Sequence, residues 1–152
     1  MTQPEAIEKM LSGANVFLTG EPGAGKTYTL NQYIKMAKMQ GKRIAMTAST
    51  GIAASHIDGM TIHSWSGLGI KDFITDDDID RMSFQPKMVE KYNACDVLVI
   101  DEVSMLHGSR LDMVNRVAKW LRANSKPFGG LQVIFVGDLF QLPPVTKGTD
   151  VV

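Results

Sequence analysis

A glycine-rich stretch in this sequence has the residue types and the spacing needed to bind a phosphate chain. Residues 20–27 match the pattern G-x-x-x-x-G-K-[ST] of a phosphate-binding loop. Glycines let consecutive backbone N–H groups turn toward phosphate oxygens, and the helix that follows adds its positive dipole end. Lys26 would reach the β- and γ-phosphates, and the Thr27 hydroxyl would bind Mg²⁺. The predicted nucleotide-binding residues of this loop are Gly23, Ala24, Gly25, Lys26 and Thr27.

An acidic pair and an amide supply the remaining groups for phosphate cleavage. Asp101 and Glu102 follow the apolar run 97–100, which is the Walker B pattern. Asp101 would hold Mg²⁺ through water, and Glu102 would orient and activate the attacking water. Gln141 follows a second apolar run, where its amide can hydrogen-bond the γ-phosphate; an ordinary loop amide is the alternative. The predicted catalytic residues are Lys26, Glu102 and Gln141.

Apolar runs and helical periodicities alternate along the chain and would position these groups. Strands are predicted at 15–19, 43–47, 97–100 and 131–136, with helices after most of them. This alternation calls for a parallel sheet with right-handed crossovers, in which ligands bind at the carboxyl ends of the strands. The sequence therefore predicts an α/β fold that brings the phosphate-binding loop, Asp101 and Gln141 to one edge.

Local signals predict where several helices begin and end. Thr2 and Glu5 have the spacing of a capping box, Gly41 would stop the helix that starts near Lys26, and Ser109 can cap a later helix. The acidic run 76–80 follows Thr75, so we interpret it as a capped helix start, with a hard-metal site as the alternative.

Composition limits the class of protein without naming a partner. A chain of 152 residues with 44% hydrophobic and 21% charged residues is sufficient for one globular domain. The charges of the 16 basic and 16 acidic residues cancel, so any binding of nucleic acid must come from local groups rather than from net charge. Cys95 is the single cysteine and is expected to be structural. With neither a membrane-length apolar run nor a signal peptide, we expect a soluble intracellular protein, cytoplasmic at the nucleoid if bacterial, with no membrane partner.

Five sequence blocks in order resemble the N-terminal motor domain of the PIF-type DNA helicases, a superfamily-one group that moves 5′ to 3′. The blocks are 20–27, 47–54, 61–64, 100–105, and 127–130 followed by 137–144. The resemblance implies a P-loop NTPase fold with a RecA-like parallel sheet flanked by helices, in which the Walker A strand lies next to the Gln141-motif strand. It also implies ATP and Mg²⁺ as cofactors, single-stranded DNA as partner, and DNA repair and telomere maintenance as processes.

The resemblance also assigns roles to residues outside the phosphate-binding loop. Gln3 resembles the glutamine that reads the adenine edge, with a surface glutamine as the alternative. The predicted DNA-binding residues are Ser49, Thr50, Gly51 and His63. Trp65 stands where the family usually has phenylalanine, and we favour core packing over stacking on a base. Leu139 departs from the usual aromatic residue but stays apolar.

The resemblance makes residues 1–152 the first of two motor domains, with the wedge insertion and the second motor domain of the same chain absent. We therefore expect Mg-nucleotide binding with weak hydrolysis. A stand-alone nucleotide-dependent DNA-binding module is the alternative, and an ATPase acting on protein is a further rival. We expect a monomer in which the Val16 strand is an open edge that invites pairing with another chain.

Overall fold

The computed structural model describes residues 2–20, 25–138 and 149–151. The helices are α1 Gln3–Leu11, α2 Lys26–Met39, α3 Gly51–His56, α4 Ile62–Ser66, α5 Asp76–Ser83, α6 Pro86–Ala94 and α7 Gly108–Leu121. The strands are β1 Asn15–Leu18, β2 Ile44–Ala48, β3 Met60–Thr61, β4 Val97–Asp101, β5 Gln132–Val136 and β6 Thr149–Val151. Two short 3-10 helices lie at Val103–Met105 and Pro127–Gly130.

The described strands form one parallel sheet in the order β3-β2-β4-β5-β1-β6. The strand β5 lies between β1 and β4, and its Ile134 is paired with Val16 on one side and Val99 on the other. The predicted fold class is therefore confirmed, including the position of the Walker A strand beside the strand that precedes Gln141. Parallel strands end at the same edge, so the segments after β1, β2, β4 and β5 are brought together there.

The prediction that the Val16 strand is an open edge is wrong. The strand β6 pairs with β1 in parallel, with Asn15 opposite Thr149 and Phe17 opposite Val151. Because the backbone groups on that side of β1 are paired within the chain, the edge-to-edge association that an open strand would invite loses its basis. Sequence pattern missed β6 because a strand of three residues has too few positions to show periodicity.

Alternating side chains of the strands build a separate core on each face of the sheet. Val97 and Val99 of β4 pack in the cluster that includes α1 and α2, whereas Leu98 and Ile100 pack in the cluster that includes α4 to α7. All four side chains are fully buried, as expected for a central parallel strand covered by helices on both faces. The covered faces hold β4 in place and thereby fix the direction in which Asp101 leaves the sheet.

Helix ends follow the predicted caps with one exception. The Thr2 hydroxyl accepts the N–H of Glu5, and Thr75 forms a full capping box with Asp78, so the acidic run is a helix start as predicted. The exception is α7, which is capped by the His107 ring rather than by Ser109. The Nδ1 atom of His107 accepts the Ser109 N–H at 3.3 Å, and an imidazole is not among the side chains that typically cap a helix.

Trp65 and Cys95 are core residues, as predicted. The Trp65 side chain is 4% exposed and packs on Tyr92 with ring centroids 4.7 Å apart. The Tyr92 hydroxyl donates to the Ser66 carbonyl at 2.8 Å, which holds this aromatic pair against α4. Burial raises the pKa of the Cys95 thiol to about 11, so it stays protonated and unreactive at neutral pH.

Candidate functional site

Lys26 is held at the carboxyl edge of the sheet by the residues that follow β5. Its Nζ donates to the Asp138 Oδ1 atom at 2.7 Å and to the Gly137 carbonyl at 3.2 Å. The lysine side chain is only 16% exposed and the aspartate is 45% exposed, so the pair is partly withdrawn from water. Asp138 is not among the residues that the sequence predicts for the site. Its pairing with Lys26 depends on β5 lying beside β1, which spacing along the chain does not reveal.

The described part of the phosphate-binding loop places Gln3 against it. Gly25 has a positive φ of 90°, and a Cβ added there would collide with the Gln3 side-chain amide. The positive φ therefore favours glycine at position 25, and the end of the flexible Gln3 side chain lies against it. Thr27 lies in the first turn of α2 with its side chain exposed. Gly23 and Ala24 lie outside the described residues, as does the rest of 21–24.

Asp101 ends β4 within the electrostatic reach of Lys26. Its Oδ1 atom accepts the backbone N–H of Glu102 at 2.8 Å, which leaves its other oxygen free of that bond. Burial raises the pKa of Asp101; the Glu102 N–H and the Lys26 charge oppose this rise, and the nearby Asp138 adds to it. An electrostatic influence of His56 on α3 also lowers the pKa of Asp101, and nothing in the sequence pattern links His56 to this site.

Glu102 has an unusual backbone conformation and an exposed side chain. Its φ of 53° and ψ of 39° lie in the left-handed region, which non-glycine residues adopt only when the surrounding structure imposes it. The backbone is held on both sides, since its N–H donates to Asp101 and its carbonyl accepts the Ser49 hydroxyl at 2.6 Å. These bonds leave the carboxylate itself directed away from the buried core, where it can meet water.

The predicted DNA-binding turn lies beside the acidic pair. Ser49 is 8% exposed; its hydroxyl is donated to Glu102, and its N–H donates to the Asp101 carbonyl at 3.1 Å. The Thr50 hydroxyl accepts the Ala53 N–H at 3.2 Å and thereby caps α3. Gly51 is exposed, with no other atom within 4 Å of where its side chain would begin. The open surface of this turn is therefore at Thr50 and Gly51, whereas Ser49 faces the acidic pair.

The segment that contains His63 is adjacent to this turn. Ala48 is paired with Thr61 in the sheet, so α4 begins next to the end of β2. Burial lowers the pKa of His63, and the positive charge of Arg110 lowers it further. The ring is therefore neutral near pH 7 and can donate one hydrogen bond or accept one.

The chemistry of the donor set suits a magnesium ion shared with phosphate. Thr27 and Asp101 offer the hard oxygen ligands that Mg²⁺ prefers. Among the residues that the structure describes, no group of three or more histidine, cysteine, aspartate or glutamate side chains could hold a metal on its own. A magnesium ion here would therefore need phosphate oxygens and water to complete its shell. Gln141, the remaining predicted site residue, lies outside the described residues, as does Leu139. In the same described part of the chain, no helix is long and apolar enough to span a membrane.

Comparison with known proteins gives matches over nearly the whole chain. A model of the PIF1-like helicase family matches residues 3–151. The ATP-dependent DNA helicase Pif1 of Psychrobacter sp. is 52% identical over 145 residues, which cover 95% of this chain and 22% of that protein. The human ATP-dependent DNA helicase PIF1 is 38% identical over 147 residues, covering 97% of this chain and 22% of that protein. The chain thus spans about a fifth of the length of these curated relatives.

Solved structures match with similar coverage. A crystal structure of Pif1 helicase from Candida albicans superposes with a TM-score of 0.83 at 40% identity, covering 95% of this chain and 33% of the other. A crystal structure of Pif1 helicase from Bacteroides in complex with ADP-AlF3 and ssDNA superposes with a TM-score of 0.75 at 40% identity, covering 97% of this chain and 34% of the other.

Proposed function

Because this chain belongs to the PIF1-like helicase family, we propose that it is the motor domain of an ATP-dependent DNA helicase. It binds Mg-ATP and single-stranded DNA, and hydrolysis drives stepping and unwinding in the full-length protein. The observation that carries the proposal is the position of Lys26 beside Asp138 and near Asp101, where β1, β4 and β5 end. The Bacteroides relative in complex with ADP-AlF3 and ssDNA supports both ligands.

At the nucleotide site, each described residue has one task. Lys26 binds the β- and γ-phosphates, and the Gln3 amide beside Gly25 reads the adenine edge. Thr27 and Asp101 hold Mg²⁺, which neutralises charge on the phosphates when it is bound. Glu102 accepts a proton from the attacking water as the water oxygen bonds to the γ-phosphorus and ADP leaves. Gln141, which lies outside the described residues, is assigned by the family resemblance a hydrogen bond to the γ-phosphate or the attacking water.

At the DNA interface, the exposed turn after β2 and the neutral ring after β3 supply polar contacts without a large net charge. Backbone N–H groups at Thr50 and Gly51 bind phosphate oxygens of the strand without reading sequence. His63 adds a hydrogen bond from the neighbouring segment. Single-stranded DNA would then lie across the ends of β2 and β3, next to the acidic pair.

Every arginine of this chain is engaged away from Lys26. The side-chain partners are Asp96 for Arg43, Asp78 for Arg81, the Gly69 carbonyl for Arg110, Asp76 and the Ile74 carbonyl for Arg116, and three backbone carbonyls for Arg122. Hydrolysis of the γ-phosphate is accelerated about a thousandfold or more by an arginine at the transferring group. We therefore propose that a second motor domain of the parent protein supplies it and that this chain alone hydrolyses ATP slowly.

The experiment that tests the proposal measures binding of a fluorescent ATP analogue and of fluorescent single-stranded DNA to this chain. Both should bind, and Lys26→Ala should weaken nucleotide binding at least about tenfold, since charged hydrogen bonds to phosphate are strong. DNA binding in the absence of nucleotide should be unchanged in that variant. Wild-type protein that binds neither ligand would refute the proposal. A natural reading frame that does not continue into a second motor domain would favour the stand-alone DNA-binding module.

A further inference from the structure

The charge of Lys26 is neutralised by Asp138, a residue that lies outside the phosphate-binding loop. The cation is paired at 2.7 Å with Asp138, which follows β5, and the Gly137 carbonyl accepts a second bond at 3.2 Å. The charge of Lys26 also lowers the pKa of the Walker B residue Asp101, but the hydrogen bonds of Lys26 go to Asp138 and Gly137. The lysine that is expected to bind phosphate therefore already forms an ion pair with a carboxylate that follows β5.

The burial of the pair explains why a partner is needed. With 16% of its side chain exposed, an unpaired Lys26 would lose much of its hydration without compensation. Asp138 is more exposed, at 45%, and can regain water if its partner leaves. Separating the pair therefore costs Lys26 more solvation free energy than it costs Asp138. Replacement of Asp138 by a phosphate is easier than leaving Lys26 without any anionic partner.

We propose that Asp138 is a positioning residue that acts as a counter-ion for Lys26 in the empty site and competes with the nucleotide phosphates for it. This inference rests on the proposed nucleotide function. Binding of a phosphate places a second negative group beside the same cation, so the Lys26 bond to Asp138 is weakened or lost when the nucleotide arrives. Asp138 thus stabilises Lys26 when no nucleotide is bound, and it lowers the affinity of the site for phosphate.

The test compares wild-type protein with Asp138→Asn, which keeps the shape of the side chain and removes its charge. ADP is titrated in the presence of a chelator, so that Mg²⁺ plays no part, and ADP should bind about threefold to tenfold tighter to the variant. The empty variant should melt at a lower temperature than wild-type protein. At saturating ADP the two melting temperatures should coincide, because the lost pair is absent from both complexes. A merely structural role would lower the melting temperature in both states.

Two further variants separate the proposed pair from a general effect of charge. Asp112→Asn removes an exposed carboxylate on α7 and should leave ADP affinity unchanged. In a Lys26→Gln background, measured with ADP up to the millimolar range, Asp138→Asn should no longer tighten binding. Unchanged or weaker ADP binding in Asp138→Asn overturns the proposal, and so does tightening that persists without Lys26. If wild-type protein does not bind ADP, the proposed nucleotide function fails and this inference falls with it.

Discussion

At the scale of single residues, Glu102 combines a constrained backbone with an exposed carboxylate. Its main-chain bonds to Asp101 and Ser49 do not involve the side chain, so Glu102→Gln should leave the fold and Mg-ATP affinity intact. Glutamine cannot take a proton from water, and hydrolysis should fall by about a hundredfold or more. Single-turnover phosphate release in the full-length parent protein with single-stranded DNA measures this. Glu90→Gln, on the exposed face of α6, is the matched control, and a fully active Glu102→Gln protein would remove Glu102 from the role of base.

His63 predicts a dependence of stability on pH. Burial and Arg110 place the pKa of His63 in the folded protein below its ordinary value of 6.5, so the unfolded chain binds the proton more readily. The contribution of the neutral ring to the free energy of unfolding is therefore present above pH 6.5. This contribution is lost as the pH falls through 6.5 toward the lower pKa of the folded state. Urea unfolding should show that the free energy of unfolding falls more steeply between about pH 7.5 and about pH 5.5 in wild-type protein than in His63→Gln.

Arg110→Gln provides the second variant for this measurement. It removes the neighbouring positive charge and should make the loss of stability with falling pH shallower than in wild-type protein. The substitution also removes the hydrogen bond from Arg110 to the Gly69 carbonyl, which should lower stability by a similar amount at every pH. The slope of unfolding free energy against pH therefore isolates the electrostatic effect. Equal slopes in wild-type protein and His63→Gln would show that His63 does not titrate differently on folding.

At the scale of elements, Ser49 links the end of β2 to the end of β4. Its hydroxyl donates to Glu102 and its N–H to Asp101, so it continues the pairing of the two strands past the last ladder residues. Ser49→Ala leaves the Glu102 carbonyl without this donor and should cost about 1–2 kcal/mol of unfolding free energy. Urea denaturation measures the cost. Ser55→Ala, at an exposed position of α3, should change stability little, and equal effects of the two substitutions would contradict this account.

The elements also show why some local predictions succeeded and others did not. The Thr75 cap was predicted because its partner, Asp78, lies three residues away, within the range that a sequence pattern covers. The His107 cap was missed because an imidazole is not a typical cap, and its role depends on ring orientation. Predictions of caps therefore succeed where the partners lie within one turn of helix and the capping residue is of a typical type.

At the scale of the whole molecule, strand order decided what the sequence could reveal. Apolar runs predicted β1, β2, β4 and β5, and the resemblance predicted that β1 lies next to β5. The pair between Lys26 and Asp138 spans 112 positions and exists only because β5 lies beside β1. The strand β6 was missed because a segment of three residues is stabilised by its pairing with β1 more than by its own pattern. Hydrophobic periodicity therefore could not predict the long-range ion pair or the short edge strand.

The same scale governs turnover, because the arginines of this chain are committed to its own fold. Their partners lie in α5, in the loops around α6 and beside α7, so these arginines are engaged away from the proposed phosphate site at Lys26. This chain should bind Mg-ATP yet hydrolyse it at least about a thousandfold more slowly than a full-length relative with single-stranded DNA. Steady-state phosphate release from this chain and from the full-length Psychrobacter relative measures the ratio, with ADP affinity as the control for an intact site. Comparable turnover in the two proteins would show that residues 1–152 contain a complete hydrolytic site and need no arginine from a second motor domain.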